Sequence, residues 1–190
     1  AGWLASSPSS AGARTRKEGG QNAFGKITGA GPINISVSKG KKMQKIVTKE
    51  QLKQRLRQLR AEGKTIVFTN GCFDILHVGH VRYLREAKKL GDLLILALNS
   101  DASVRTIKGE KRPLVPEAER ADIMAALECI DYVVLFAEPT PRELIEYLQP
   151  DILVKGGDWT EDAIAGADFV KAAGGRVVTI PLTAGKSTTN

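Results

Sequence analysis

Residues 65–100 read TIVFTNGCFDILHVGHVRYLREAKKLGDLLILALNS, and the change of period inside that stretch decides the fold. Thr65–Thr69 is a short apolar, β-branched run, the mark of a strand covered on both faces. Residues 80–90 repeat with helical period and stop at Gly91. Leu93–Leu98 is a second, wholly apolar run. Strand, helix, strand in so short a stretch is a βαβ unit, which requires parallel strands.

The same alternation continues outward. Downstream, Glu117–Leu127 reads as a helix and Tyr132–Phe136 as a strand. Pro141–Leu148 follows as a helix with proline in its first turn, and Ile152–Val154 as a fourth strand. Glu161–Ala173 reads as one helix and Val177–Ile180 as a fifth strand. Upstream, Thr48 caps a helix to about Ala61, with Leu52, Leu56 and Leu59 on one face and Gly63 as its stop. The fold expected is α/β: a Rossmann-like open parallel sheet of about five strands, with helices on both faces and right-handed crossovers. Residues 1–42 are rich in Gly and Ser and read as a flexible basic tail; 43–63 hold the N-terminal helix; 64–190 form the main domain. The sequence ends at Asn190, where this pattern leads one to expect another helix.

The formal charge of +7 has to be located before it is interpreted. Seven of the 28 basic residues (Arg14, Arg16, Lys17, Lys26, Lys39, Lys41 and Lys42) lie in the tail, against one acid, Glu18. The remainder carries 21 basic and 20 acidic side chains. A nearly neutral body argues against a broad phosphate-backbone footprint, so no nucleic-acid partner is expected. No apolar run is long enough to span a bilayer, and no membrane partner is expected. Two cysteines, Cys72 and Cys129, make no disulfide framework and suit a reducing, cytoplasmic setting.

Ligands of open parallel sheets bind beyond the carboxyl ends of the strands, where the strand order reverses. The segments following four of the strands are rich in Gly and polar residues: Asn70–His80, Asn99–Asp101, Lys155–Trp159 and Thr183–Asn190. His77 and His80 are the chain's two histidines and flank Gly79. Near a helix start they would meet free backbone N–H groups, which favour phosphate, and their rings can donate to a phosphoryl oxygen as charge builds on it. A structural cap is the plain alternative. A zinc site would need further ligands, for which Cys72 and Asp74 are the near candidates. Gly185-Lys186-Ser187-Thr188-Thr189 resembles the end of a Walker A loop, but Ile180 stands where that motif needs glycine. Lys108–Pro113 is a basic loop placed to clamp an anion, and Lys155 leaves a strand end directly. Cys72 reads as a small buried residue rather than a nucleophile. Trp159 suits either base stacking or cover for the sheet edge.

TNGCFDILHVGHVRYL, with STTN at 187–190, resembles the H-x-G-H nucleotidyltransferase superfamily, to which cytidylyltransferases belong. Within it, GDLLILALNSDASVR, KGEKRP, ALECIDYVV and DILVKGGDW resemble the heptose 1-phosphate adenylyltransferases of ADP-heptose synthesis. The resemblance covers about residues 64–190. It implies a reaction in which a sugar 1-phosphate oxygen attacks the α-phosphorus of ATP and pyrophosphate leaves. It implies that His77, His80 and Lys186 act in catalysis. Asn70, Gly71, Cys72, Phe73 and Gly79 would line the nucleotide pocket, and Ser187 and Thr188 would hold the outer phosphates. Lys108, Lys111 and Arg120 would neutralise phosphate, with Gly157 and Asp158 on the nucleotide and Asp101 and Lys155 as weaker contributors. Mg²⁺ would travel with the phosphates rather than in a protein metal site. The resemblance also implies a homodimer, and a sugar kinase present as a separate protein, since only residues 1–64 precede the first strand. Cytidylyltransferases carry Arg-Thr-Glu-Gly before the Ser/Thr motif; Leu182-Thr183-Ala184-Gly185 stands here, which weakens a CTP-dependent alternative acting on glycerol 3-phosphate. A K-M-S-K-S segment, which aminoacyl-tRNA synthetases would show, is lacking.

Overall fold

The structure is a computed structural model that describes residues 44–157 and 159–181. In chain order these form α1 (Lys49–Ala61), β1 (Ile66–Gly71), α2 (Val78–Lys88), β2 (Leu93–Asn99), α3 (Asp101–Lys108) and α4 (Glu117–Ala126). Then come β3 (Tyr132–Phe136), α5 (Arg142–Leu148), β4 (Ile152–Gly156), α6 (Ala167–Ala172) and β5 (Arg176–Ile180). The five strands make one sheet in the order β3-β2-β1-β4-β5, every pair parallel. The α/β sheet expected from the sequence is the sheet observed.

Alternate residues of each strand enter different layers. On one face Phe68, Ile95, Ala97, Val134 and Leu153 pack with Leu52 and Leu56 of α1, Ile145 and Leu148 of α5 and Val170 of α6. On the other, Val67, Leu94, Leu96, Leu98 and Val154 pack with Leu84 and Ala87 of α2 and Met124 of α4. Leu52 and Leu56 are wholly buried, which accounts for the leucine spacing of α1. Thr48 caps that helix through a reciprocal pair with Gln51: Thr48 Oγ1 accepts from the Gln51 N–H at 3.3 Å, and Gln51 Oε1 accepts from the Thr48 N–H at 3.1 Å.

Three features differ from the sequence reading. The segment before α1 pairs with the edge of β3: Val47 N–H donates to Val133 O at 3.0 Å, and Val133 N–H to Lys45 O at 2.9 Å. This covers part of an open sheet edge. Helix α3 stands where only loop was expected; Ser100 caps it by accepting from the Ser103 N–H at 3.2 Å. The single helix expected over Glu161–Ala173 is broken into a 3-10 turn at Glu161–Ala163 and α6. Gly166 sits between them at φ 84°, and a Cβ there would lie 2.9 Å from Ile145 Cδ1, so the backbone turns where no side chain fits.

Candidate active site

Strand order reverses between β1 and β4, so the chain leaves these neighbours in opposite directions and opens a crevice at their carboxyl ends. Asn70 is the penultimate residue of β1 and Lys155 that of β4, and Lys155 Nζ donates to Asn70 Oδ1 at 3.2 Å. The ammonium is largely buried, which lowers the Lys155 pKa, and it lies 5.7 Å from the centroid of the half-exposed Trp159 ring.

The histidine turn follows β1 directly. Phe73 adopts φ 44°, a left-handed conformation rare for an aromatic residue, and folds back over Gly71. A Cβ on Gly71 would lie 2.7 Å from Phe73 Cε2, so glycine is what permits the fold-back. The Phe73 ring then meets His80 edge-on, with centroids 5.1 Å apart. His77 is the N-cap of α2: its Nδ1 accepts from the Gly79 N–H at 3.1 Å. The His77 N–H in turn donates to His80 Nδ1 at 3.4 Å, and the two rings stack at 3.8 Å. An accepting Nδ1 leaves the proton of a neutral imidazole on Nε2. Both rings therefore carry that proton on Nε2, and both sit in the first turn of α2, at its positive end. Burial first, then the charges of His77 and Lys108, push His80 down to about 4, so it is neutral at pH 7.

The turn is anchored from beneath. Tyr83 of α2 shares a 2.6 Å hydrogen bond with Thr69 Oγ1 and donates to Val154 O at 3.3 Å. That fixes α2 to both strands of the crevice. Burial pushes the Tyr83 phenol up to about 12, so it stays a donor.

The other expected contributors divide. Cys72 is half-buried with its thiol pushed up by burial, which fits the inert reading. Lys108 ends α3 exposed, and its charge reaches both His80 and Cys72. Lys111 is exposed on the loop that follows. Gly157 donates its N–H to Ile180 O at 2.9 Å and ties the end of β4 to β5. Arg120 requires a correction. It is 1% exposed, and its guanidinium is spent on Val115 O, Cys72 O, Asn99 O and Asp101 Oδ1, at 2.6–2.9 Å. With its N–H groups held by four protein oxygens it supports the site from inside and does not present charge to phosphate. Asp158, Lys186, Ser187 and Thr188 lie outside the described residues.

Sequence reasoning missed a loop anchor. Asp74, weighed only as a metal ligand, is taken up instead by the segment 112–115. Its Oδ2 accepts from Arg112 Nη1 at 2.7 Å, and its Oδ1 from the N–H groups of Leu114 and Val115 at 2.8 and 3.0 Å. Its position three residues before His77 was the one available signal; nothing in local spacing names a partner some forty residues on. Among the described residues no group of three or more His, Cys, Asp and Glu side chains is placed to hold a metal ion. No helix among them is long and apolar enough to cross a membrane. A cavity of about 740 Å³ opens instead at the β3 edge, lined by Val47, Thr48, Leu135, Glu143 and Tyr147 among others. It shares no residue with the histidine turn.

The profile of the cytidylyltransferase-like family matches residues 68–181, the span that holds this crevice. The chain belongs to that family. Its enzyme class is accordingly nucleotidyl transfer. Over 146 residues it is 62% identical to the "Bifunctional protein HldE" of Syntrophotalea carbinolica, a match covering 77% of this chain and 30% of that one. The protein of the same name from Geobacter metallireducens is 64% identical over 131 residues, 69% of this chain and 27% of that relative. The chain thus spans under a third of the length of the curated relatives it matches. Among solved structures, the lipopolysaccharide core biosynthesis protein of Thermoplasma volcanium has TM-score 0.52 and 30% identity, over 64% of this chain and 98% of that one. The pantoate-beta-alanine ligase of Francisella tularensis has TM-score 0.52 at 14% identity, over 74% and 68%, and shares the fold.

Proposed function

We propose that this family member transfers AMP from ATP to heptose 1-phosphate, releasing pyrophosphate and ADP-heptose. The observation that carries the reading is the pair of stacked imidazoles at the start of α2, whose Nδ1 atoms both accept backbone N–H groups and so leave the ring protons on Nε2. The names of the relatives and of the Thermoplasma protein support the pathway. In the reaction a phosphate oxygen of the sugar bonds to the α-phosphorus, and the bond from that phosphorus to the bridging oxygen of pyrophosphate breaks. No enzyme-bound covalent intermediate forms. The protein's task is to position the reactants and stabilise charge. His77 and His80 donate to phosphoryl oxygens as negative charge shifts toward the leaving group. Asn70, Gly71, Cys72 and Phe73 line the nucleotide side, with Gly157 and Asp158. Lys108 and Lys111 lend charge, and Lys186, Ser187 and Thr188 hold the outer phosphates. Magnesium enters as part of the substrate, MgATP.

The family's cytidylyltransferase-like description favours CTP as a competing nucleotide, for which glycerol 3-phosphate is the acceptor to test. Pyrophosphate release decides between them. ATP and CTP are each tested with heptose 1-phosphate and with glycerol 3-phosphate. Turnover confined to the ATP and heptose 1-phosphate pair is expected; turnover confined to CTP would overturn the reading.

A further inference from the structure

We infer that Asp74 is a positioning residue: its carboxylate anchors the 109–115 loop beside the histidine turn and so delivers the cations of Lys108 and Lys111 to the phosphates. The delivery rests on the proposed reaction; the anchor does not. Asp74 is 8% exposed, and both its oxygens are engaged by the loop: Oδ2 by Arg112, Oδ1 by Leu114 and Val115. Asp74 is also joined to His77 by only two intervening residues, so the carboxylate connects the two segments at their closest approach in sequence to the site.

The loop is held from its other side as well. Val115 O accepts from Arg120 Nε at 2.9 Å, and the same guanidinium grips Cys72 O, the residue after β1. Asp101 completes the frame: its carboxylate accepts from Arg120, while its N–H donates to Glu117 Oε2 at 2.6 Å. Helices α3 and α4 are thereby tied together where both leave the crevice. Lys108 sits at the end of α3, just ahead of the anchored segment, with its charge felt at His80. Without the carboxylate, two backbone N–H groups and the Arg112 guanidinium lose their acceptor together. The loop then keeps only the Arg120 bridge, between Val115 O and Cys72 O, as a side-chain tie to this segment among the described residues.

The test uses the whole chain and begins without ligand. Amide hydrogen exchange at Leu114 and Val115 reports the anchor itself. In Asp74→Ala both amides are expected to exchange at least about tenfold faster, the scale of losing a hydrogen bond to a charged group, while amides of β1 and β2 keep their rates. Asp74→Asn retains a side-chain oxygen and should restore part of the protection. Where Asp74→Ala does not fold, Arg112→Gln serves, with a smaller acceleration expected. Pyrophosphate titrated into each folded variant should bind about tenfold more weakly, as one lost charge-assisted contact would give, and the KM for MgATP should rise more than kcat falls. Unchanged exchange at Leu114 and Val115 overturns the anchor. Faster exchange with unchanged pyrophosphate affinity overturns the delivery of charge. Exchange requires no substrate, so a chain that turned over neither nucleotide would count against the reaction alone.

Discussion

In the proposed reaction His80 is the side chain on which most depends. Its Nδ1 is occupied by the His77 N–H, its ring is met by Phe73, and its depressed pKa keeps it neutral. A neutral donor fixed in place costs no reorganisation when charge develops on phosphate. His80→Ala is expected to lower kcat by about 10²-fold, the scale of one transition-state donor, with the protein still folded by circular dichroism. The same ring sets a pH dependence. Between about 4 and its ordinary value of 6.5, an unfolded His80 binds a proton that the folded ring refuses. Stability therefore rises with pH across that window and falls as pH drops through it. Denaturant titrations of His80→Asn should show a shallower loss over the same range; an identical slope would assign the dependence to other groups.

At the scale of elements, what was legible followed from burial. β1, β2 and β4 open on continuous apolar runs because both their faces are covered, while β3 and the half-exposed β5 showed through their β-branched and aromatic residues, so β1 to β5 could be placed within two residues at either end. Helix α1 was legible through Thr48 and its leucine stripe. Helix α3 was not, because Asp101–Lys108 buries only Ser103 and Val104 and so lacks a wide apolar stripe. The break at Gly166 was invisible for a different reason: the left-handed turn is imposed by Ile145, which lies on α5 and not in the local sequence. Gly166→Ala places a Cβ both at an unfavourable φ and against that side chain. A loss of more than about 1 kcal/mol is expected in urea unfolding, since the residue cannot adopt the native backbone without strain. Thr48→Ala removes the acceptor of a capping pair and should cost ~1 kcal/mol by the same measurement. The histidine turn was readable as a motif. Its support was not, since the Asp74–Arg112 and Arg120–Cys72 contacts join segments that only the sheet brings together.

For the molecule as a whole, the question is where its charge acts. The excess of +7 comes almost entirely from residues 1–42, while the rest of the chain is nearly balanced. Within the described part, Arg120 is neutralised internally by Asp101 and Arg112 by Asp74, so two apparent phosphate cations are structural. Among the described residues that leaves Lys155 in the crevice and Lys108 near enough for its charge to reach His80, too few cations for a polyanion track. Removing residues 1–42 is therefore expected to leave kcat/KM and the melting temperature unchanged, since among the described residues the core is built from Val47 onward. Any affinity of the full chain for DNA or RNA should vanish with the segment and be steeply salt-dependent before it does. Turnover lost on truncation, with nucleic-acid binding retained by the remainder, would contradict this assignment of charge, since a body of such even balance has no broad basic face with which to hold a phosphate backbone.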